Sequence, residues 1–307
     1  MMKKKTLWEE IKRNWLFYVL PIPALIYLLI FAYIPMAGIY VVFCDYNFEG
    51  GLFGSPFVGL NNFKFFFSNL GLALRSTRNT VVVNIGSIAI GTVVNIFTAI
   101  ALNEILNKKF SKTVQTLILF PYFLSWIVVG MIVQGILQNA GIVNDIIRLF
   151  GGEGVDWYAT ASAWWPIAIL CNIWKGFGYN SIIYYSTLMG FDSEMYEAAD
   201  SDGATRWQKI RYITLPLLRP TVLIMTLLAV GGILQGSLDQ VIGLTNLSPL
   251  LMETMDTIPS FVYRTAMSEG NFEMASAVGL FQSLCGFVLV LGANLLAKKV
   301  DPDYALF

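Results

Sequence analysis

The chain has 307 residues, of which 56% are hydrophobic and only 13% are charged, and its formal net charge is zero. Soluble domains usually carry about a quarter charged residues, so this deficit, together with long apolar runs, predicts an integral membrane protein. A neutral chain offers no overall field to nucleic acid, and the absence of histidine excludes the catalytic and metal-binding motifs that require one.

Six apolar segments are long enough to cross the hydrocarbon core as helices. The first follows a basic leader, residues 1–15, and is longer than the apolar region of a signal peptide, so we expect a retained helix. Pro21, Pro23 and Pro35 should bend or interrupt it. The predicted fold class is all-α integral membrane, with six transmembrane helices in one domain over residues 16–307. The six segments are 16–43, 79–103, 112–138, 162–189, 217–243 and 275–297.

The basic residues predict the orientation of these segments. Most of the 20 Lys and Arg residues lie in the termini and in the loops after the second and fourth segments. Because basic loops stay on the cytoplasmic side, both termini are predicted to be cytoplasmic. The outer loops, 44–78, 139–161 and 244–274, suit either a docking surface or aromatic packing at the membrane interface.

A charged island, EAADSDGATRWQKIRYITLP at 197–216, interrupts the apolar sequence on the predicted cytoplasmic side. Asp192 or Ser193 can cap a first short helix, and Gly203 suits the left-handed position that ends it. The tetrapeptide TRWQ is a capping box for a second short helix, which Pro216 should close. On capping signals alone, the island fits a partner-binding device and a solvated connector equally well.

The spacing of Glu-Ala-Ala, Gly and Ile-x-Leu-Pro in the island resembles the EAA loop of the membrane subunits of binding-protein-dependent ABC importers. The stretches FVGLNNFKFFFSN and YEAADSDGATRWQKIRYITLPLLRP, together with the C-terminal part of the chain, are similar to its carbohydrate branch, the LplB-like and MalF-like sugar permeases. The resemblance implies a type I ABC importer permease with a coupling loop at about 190–216 that contacts the ATPase. The coupling residues that it implies are Glu197, Ala198, Ala199, Gly203, Ile213, Leu215 and Pro216.

The same resemblance implies the partners and the cargo. The partners are a second homologous permease, a cytoplasmic ATPase dimer and an extracytoplasmic solute-binding lipoprotein, in a bacterial cytoplasmic membrane. The chain has no P-loop, so we expect it to bind no cofactor and to leave ATP and Mg²⁺ to the ATPase. The implied cargo is an oligosaccharide, with glycerol phosphate, a monosaccharide or a peptide as alternatives.

Two other classes of protein are disfavoured. A secondary transporter would show an inverted repeat, and none is visible. A membrane enzyme is the least favoured, because the acidic and basic residues cluster in the island rather than in a pocket.

Polar and aromatic residues in the fourth segment and at the outer end of the fifth mark a candidate substrate path. Aromatic rings stack on the CH faces of sugars, and amides bond to sugar hydroxyls. The candidates are Asn172, Trp174, Lys175, Tyr179, Asn180, Tyr184, Gln235, Asp239 and Gln240.

Charge and spacing add two expectations about the spans. Lys175 is a charge within the membrane that should face the interior and pair, and Asp239 is the acid best placed to reach it. That pair fits a tie between two helices and a substrate role equally. Small and polar residues share one face of the second segment, where helix packing is favoured over a water-filled cavity. They are Thr80, Asn84, Ser87, Gly91, Asn95 and Thr98.

Overall fold

The structure is a computed structural model that describes residues 12–68 and 70–300. Over this part of the chain, helices joined by short loops form the fold, and the β pairing is confined to an isolated bridge between Cys44 and Phe57. The main helices are α1 (Trp15–Phe43), α2 (Asn61–Ser68), α3 (Leu70–Asn103), α4 (Lys108–Leu119), α5 (Trp126–Leu137), α6 (Ile142–Leu149), α7 (Trp164–Leu188), α8 (Ser193–Ser201), α9 (Arg206–Gly231), α10 (Leu238–Thr245), α11 (Ile258–Met267) and α12 (Phe272–Val300).

Five helical segments in the described residues are both long and apolar enough to cross a membrane. One of them, Trp126–Leu149, joins α5 and α6. The predicted fourth span, α7, has 25 residues, which is a sufficient length, but it carries Lys175 and several amides and is less apolar than the others. The all-helical membrane fold is therefore confirmed, whereas the count of six apolar spans is met only if α7 is included.

Prolines shape α1 as the sequence predicts. Pro21 caps the piece Ile22–Leu28, and Pro35 lies in the first turn of a tighter helical piece, Ile34–Phe43. Since proline lacks an N–H group, it is tolerated at the start of a helical piece and interrupts a longer one.

The predicted third span, 112–138, is wrong as one continuous helix. Helix α4 ends at Leu119, a short 3₁₀ turn covers Phe120–Phe123, and α5 begins after Ser125. The Ser125 hydroxyl accepts a hydrogen bond from the Val128 N–H and caps α5. Pro121 explains the break, because its ring removes a helical donor and restricts the residue before it.

The predicted fifth span, 217–243, and the separate second island helix also need correction. Helix α9 runs without interruption from Arg206 through a π-helical turn, Ile210–Thr214, to Gly231. Pro216 lies just after the wider π turn, inside the helix that it was expected to close. Residues 232–237 are not helical, and Ser237 caps a new helix, α10.

Among the described residues, three clusters of buried side chains join the helices. One cluster surrounds Trp164 where α3, α5, α7 and α10 meet, and α5 and α10 cross there with Gly130 against the backbone of Gly243. A Cβ at either glycine would overlap the opposite backbone, so this crossing requires glycine. A second cluster includes Ile258 and Phe261 of α11. A third joins α3, α7 and α9 close to the island, through Ala99, Tyr184, Leu188 and Leu218.

Candidate functional site

The charged island folds into a capped hook, in which the predicted caps and the predicted glycine turn are confirmed. Asp192 accepts a hydrogen bond from the Glu194 N–H at the start of α8. Gly203 ends the helix with φ of 76°, in the left-handed region. Thr205 and Gln208 form a reciprocal capping box at the start of α9. Together these features reverse the chain between α8 and α9, and we call residues 192–216 the hook.

Side-chain contacts hold the two arms of the hook together. Lys209 Nζ lies 2.6 Å from Asp200 Oδ1, and the hydroxyls of Tyr196 and Thr214 are 3.1 Å apart. The hydroxyl contact is the more informative of the two, because exposed ion pairs contribute little, whereas Thr214 is buried. The hook is therefore a defined structure that includes the N-terminal end of α9.

The expected coupling residues lie on the outside of this hook. Glu197, Ala198, Gly203, Leu215 and Pro216 are exposed, and Ala199 and Ile213 are partly buried. Three large apolar side chains that the sequence reading did not select, Met195, Trp207 and Tyr212, are also exposed there, Tyr212 by 69%. Exposed aromatic residues in a charged loop were the available signal for a contact surface.

A polar cavity of about 250 Å³ lies between α3, α7 and α9. Amide, hydroxyl and apolar groups line it, and none of the described residues in its wall is charged. Of the predicted path residues it contains Asn172, Asn180 and Tyr184. Its walls are formed by Asn84, Ser87, Ile88, Gly91, Thr92, Asn95, Asn172, Ile173, Phe177, Asn180, Tyr184, Met225, Ala229 and Gly232.

The polar face of α3 divides between packing and cavity. Thr80 Oγ1 accepts from the Ile258 N–H at 2.9 Å, and Asn84 Nδ2 donates to the Ile233 carbonyl at 2.6 Å. Further along the helix, Asn172 Nδ2 donates to Ser87 Oγ at 3.1 Å. Asn95 lines the cavity with its Oδ1 buried and without a hydrogen-bond partner among the described residues. Packing is thus confirmed at the N-terminal part of this face, at Thr80 and Asn84, whereas the face borders the cavity from Asn84 to Asn95.

Lys175 does not pair with Asp239. Lys175 Nζ instead donates to the Tyr122 carbonyl at 2.6 Å and lies 5.4 Å from the Tyr122 ring centroid and 5.7 Å from that of Trp126. Asp239 is exposed in the first turn of α10, and no ion pair joins it to Lys175 in the described structure. The break at Pro121 accounts for the difference, because it turns the Tyr122 carbonyl toward α7 instead of into a helical hydrogen bond.

The remaining path candidates fall into different environments. Tyr179 stacks on Tyr122, with ring centroids 4.4 Å apart and an interplanar angle of 9°. Trp174 and Gln235 are exposed. Gln240 is buried and donates through Nε2 to the Ala168 carbonyl at 2.9 Å, so it is a packing residue that ties α10 to α7.

An ion cluster near the N-terminal end of α3 was not predicted. Asp256, whose side chain is fully buried, accepts from Arg75 at 2.9 Å and from both terminal nitrogens of Arg264 at 3.1 Å. Asn79 donates to the carbonyls of Glu253 and Asp256 beside it. These contacts connect the N-terminal end of α3 to the segment before α11. No local pattern marks them, because Arg75 and Asp256 are 181 residues apart.

Comparisons with known proteins agree with this geometry. Residues 91–304 match a family described as binding-protein-dependent transport system inner membrane component. Protein LplB of Bacillus subtilis (strain 168) is 34% identical over 95% of this chain and 92% of its own length. The polygalacturonan/rhamnogalacturonan transport system permease protein YteP of the same organism is 35% identical over 98% of this chain and 93% of its own.

Two solved structures have the same fold. A chain from a bacterial ABC transporter involved in the import of the acidic polysaccharide alginate gives a TM-score of 0.86 at 32% identity, over 97% of this chain and all of that one. A chain from a bacterial alginate ABC transporter in complex with an alginate pentasaccharide-bound periplasmic protein gives 0.85 at 33% identity, over 96% and 98% of the two chains. The protein therefore belongs to the family of inner-membrane components of binding-protein-dependent transport systems.

Proposed function

We propose that the chain is the membrane-spanning permease subunit of an ATP-driven, binding-protein-dependent importer of oligosaccharides. The observation that carries this proposal is the path of α9. This helix begins in the exposed hook at Arg206 and, without a break, contributes Met225 and Ala229 to the wall of the polar cavity. A movement of the hook therefore reaches the cavity through one helix, which is what an energy-coupled transport subunit requires.

The hook is the surface we assign to a cytoplasmic ATPase. Glu197 provides an exposed carboxylate for basic or backbone donors, and the small side chains of Ala198 and Ala199 permit close approach of another protein. Since this chain has no P-loop, ATP and Mg²⁺ are bound by that partner. A second, homologous permease and an extracytoplasmic solute-binding lipoprotein complete the assembly, in keeping with the periplasmic protein bound to the alginate transporter.

The orientation we propose places both termini and the hook in the cytoplasm. The basic residues of the hook and of the segment before α4 support it. Reporter fusions after Phe307 and within the hook should give cytoplasmic signals, and a fusion within residues 44–78 should give an external signal. A cytoplasmic signal from the 44–78 fusion would contradict this topology.

The oligosaccharide cargo is supported by the cavity and by the relatives. Amides from α3 and α7 surround the cavity beside Tyr184, and amides satisfy the paired donors and acceptors of sugar hydroxyls. The relatives named above include transport proteins for polygalacturonan and alginate.

The test is transport by the whole assembly in proteoliposomes. The permease pair, the ATPase and the binding protein are reconstituted with ATP inside and a mixed pool of oligosaccharides outside, and mass spectrometry identifies what enters. We expect uptake that requires ATP and that persists when a protonophore collapses ion gradients. Uptake that stops with the protonophore and ignores ATP would point to a secondary transporter and refute the proposal.

A further inference from the structure

Lys175 carries a positive charge near the middle of α7, and its hydrogen-bond donors are only partly used. An ammonium group has three N–H donors, and in the described structure the protein oxygen that accepts from it is the Tyr122 carbonyl. No carboxylate among the described residues lies within ion-pair distance of it. The side chain is not fully buried, so its remaining donors are accessible from outside this subunit.

A cation at this depth cannot face lipid at low cost. A charged side chain near the middle of a bilayer costs roughly 2.5–3.5 kcal/mol or more when it is left to hydrocarbon, and such groups therefore face a protein neighbour or a water-filled path. The flank of α7 that carries Lys175 must be covered by one of these. A protein neighbour or a water-filled path must supply an acceptor for the remaining N–H donors of Lys175, and an anionic acceptor compensates the charge best.

The surroundings of Lys175 show which kind of acceptor fits. The Tyr122 and Tyr179 rings lie parallel, 4.4 Å apart, and remain 41% and 47% exposed. Lys175 Nζ lies over the Tyr122 ring, and the exposed parts of the two rings are available to the CH face of a pyranose. A cation beside an open aromatic platform thus matches a sugar ring that carries a carboxylate.

The polar cavity has the opposite chemistry. Its wall contains amides and hydroxyls from α3 and α7, and no basic side chain is among the described residues that line it. It can bind neutral hydroxyls, whereas it offers no counter-charge to a uronic acid. The two surfaces of this subunit therefore differ in chemistry: the cavity offers partners for hydroxyl groups, and the flank of α7 offers a positive charge.

We propose that Lys175, with the stacked Tyr122 and Tyr179, is a subsite for the carboxylate of a uronic acid residue, and that the importer therefore carries acidic oligosaccharides. This inference rests on the proposed transport function and names the substrate class. A carboxylate contributed by the sister permease could occupy the same donors, and the experiment below separates the two sources.

The experiment compares wild type with Lys175→Gln in the complete reconstituted importer. The probe is an equal mixture of oligogalacturonates and alginate oligosaccharides with the same oligosaccharides after chemical reduction of their carboxyl groups. The measured quantity is the ratio of acidic to reduced sugars that enter. Wild type should favour the acidic forms, and Lys175→Gln should lower that ratio about 10-fold or more, because a hydrogen bond to a charged group is lost.

Two control variants show whether the effect comes from the charge at this position. Lys175→Arg keeps the charge and should retain most of the wild-type ratio. Lys112→Gln removes an equal charge from an exposed position on α4 and should leave the ratio unchanged. The amount of sister permease that co-purifies is measured for every variant.

Each other outcome decides against the subsite. Preference of the wild type for reduced sugars would overturn it while leaving the oligosaccharide importer intact. Equal loss of both sugar classes in Lys175→Gln would make Lys175 a structural cap for the break at Pro121. Loss of the sister permease from the purified complex would assign the carboxylate to that subunit. Uptake of neither class by wild type would refute the oligosaccharide function itself.

Discussion

Replacing Gly203 with alanine should weaken ATPase coupling without unfolding the membrane helices. The residue has φ of 76°, and a Cβ placed on it would meet no atom within 4 Å. Steric overlap therefore contributes nothing, and the cost is the left-handed backbone alone, about 1–2 kcal/mol for a residue with a side chain. That energy corresponds to a decrease of about 5- to 30-fold in the equilibrium constant between the correctly turned hook and its other conformations.

The assay is co-purification of the ATPase together with uptake and thermal unfolding of the same permease preparations. Binding of the ATPase and uptake should fall, by at most about 30-fold, while the melting temperature of the spans stays at the wild-type value. Gly203→Asn should lose less than Gly203→Ala, because asparagine tolerates the left-handed region better. A smaller loss for Gly203→Asn than for Gly203→Ala is expected only if the left-handed backbone conformation causes the loss.

Gly135→Ala is the matched control for that experiment. Gly135 is also in open space, but it lies within α5, where alanine favours the helix. It should transport as wild type does. The reasoning is refuted if Gly203→Ala binds the ATPase and transports normally, or if it lowers the melting temperature as a core variant would.

Two further variants test the Asp256 cluster and the cavity. Asp256→Ala should destabilise the protein by about 3–5 kcal/mol, because it leaves Arg75 and Arg264 without their buried partner. The control Asp145→Ala breaks an exposed pair with Arg148 and should cost at most about 1 kcal/mol. Similar melting temperatures for the two variants would contradict this expectation. Asn95→Leu should raise the melting temperature, because it removes a buried acceptor that has no partner in the described structure, and should lower uptake of oligosaccharides, because it replaces a polar cavity wall. Unchanged uptake would exclude Asn95 from the path.

Local features of the hook were predictable from the sequence, because each depends on residues within one or two turns. The Asp192 cap, the left-handed Gly203 and the capping box at Thr205 all appear as expected. The end of the hook was not predictable in the same way. Pro216 reads as a helix boundary, yet a π turn beside it lets α9 continue.

Long-range contacts explain most of the other differences. The partner of Lys175 is a backbone carbonyl freed by Pro121, and a search for acidic side chains cannot find it. The Asp256 cluster joins Arg75 of α3 to Asp256 and Arg264, which lie far from Arg75 in the sequence. On α3, one polar face serves packing at Thr80 and the cavity at Asn95, and spacing alone cannot divide it.

The contacts that connect the helix ends, among the described residues, indicate where the protein can move. The N-terminal end of α3 is fixed to the segment before α11 by the Asp256 cluster, and Trp165 at the start of α7 donates to the Thr254 carbonyl in the same segment. At the end nearer the hook, the third cluster joins α3, α7 and α9 through apolar side chains, including Leu218, and apolar contacts are less directional than charged hydrogen bonds. Helix α9 ends at Gly231 and is followed by a short segment that contains Gly236 with φ of 52°, so its C-terminal end is a natural hinge. A displacement of the hook should therefore swing the N-terminal part of α9 away from α3 and α7 and open the cavity toward the hook, while the N-terminal ends of α3 and α7 stay in place.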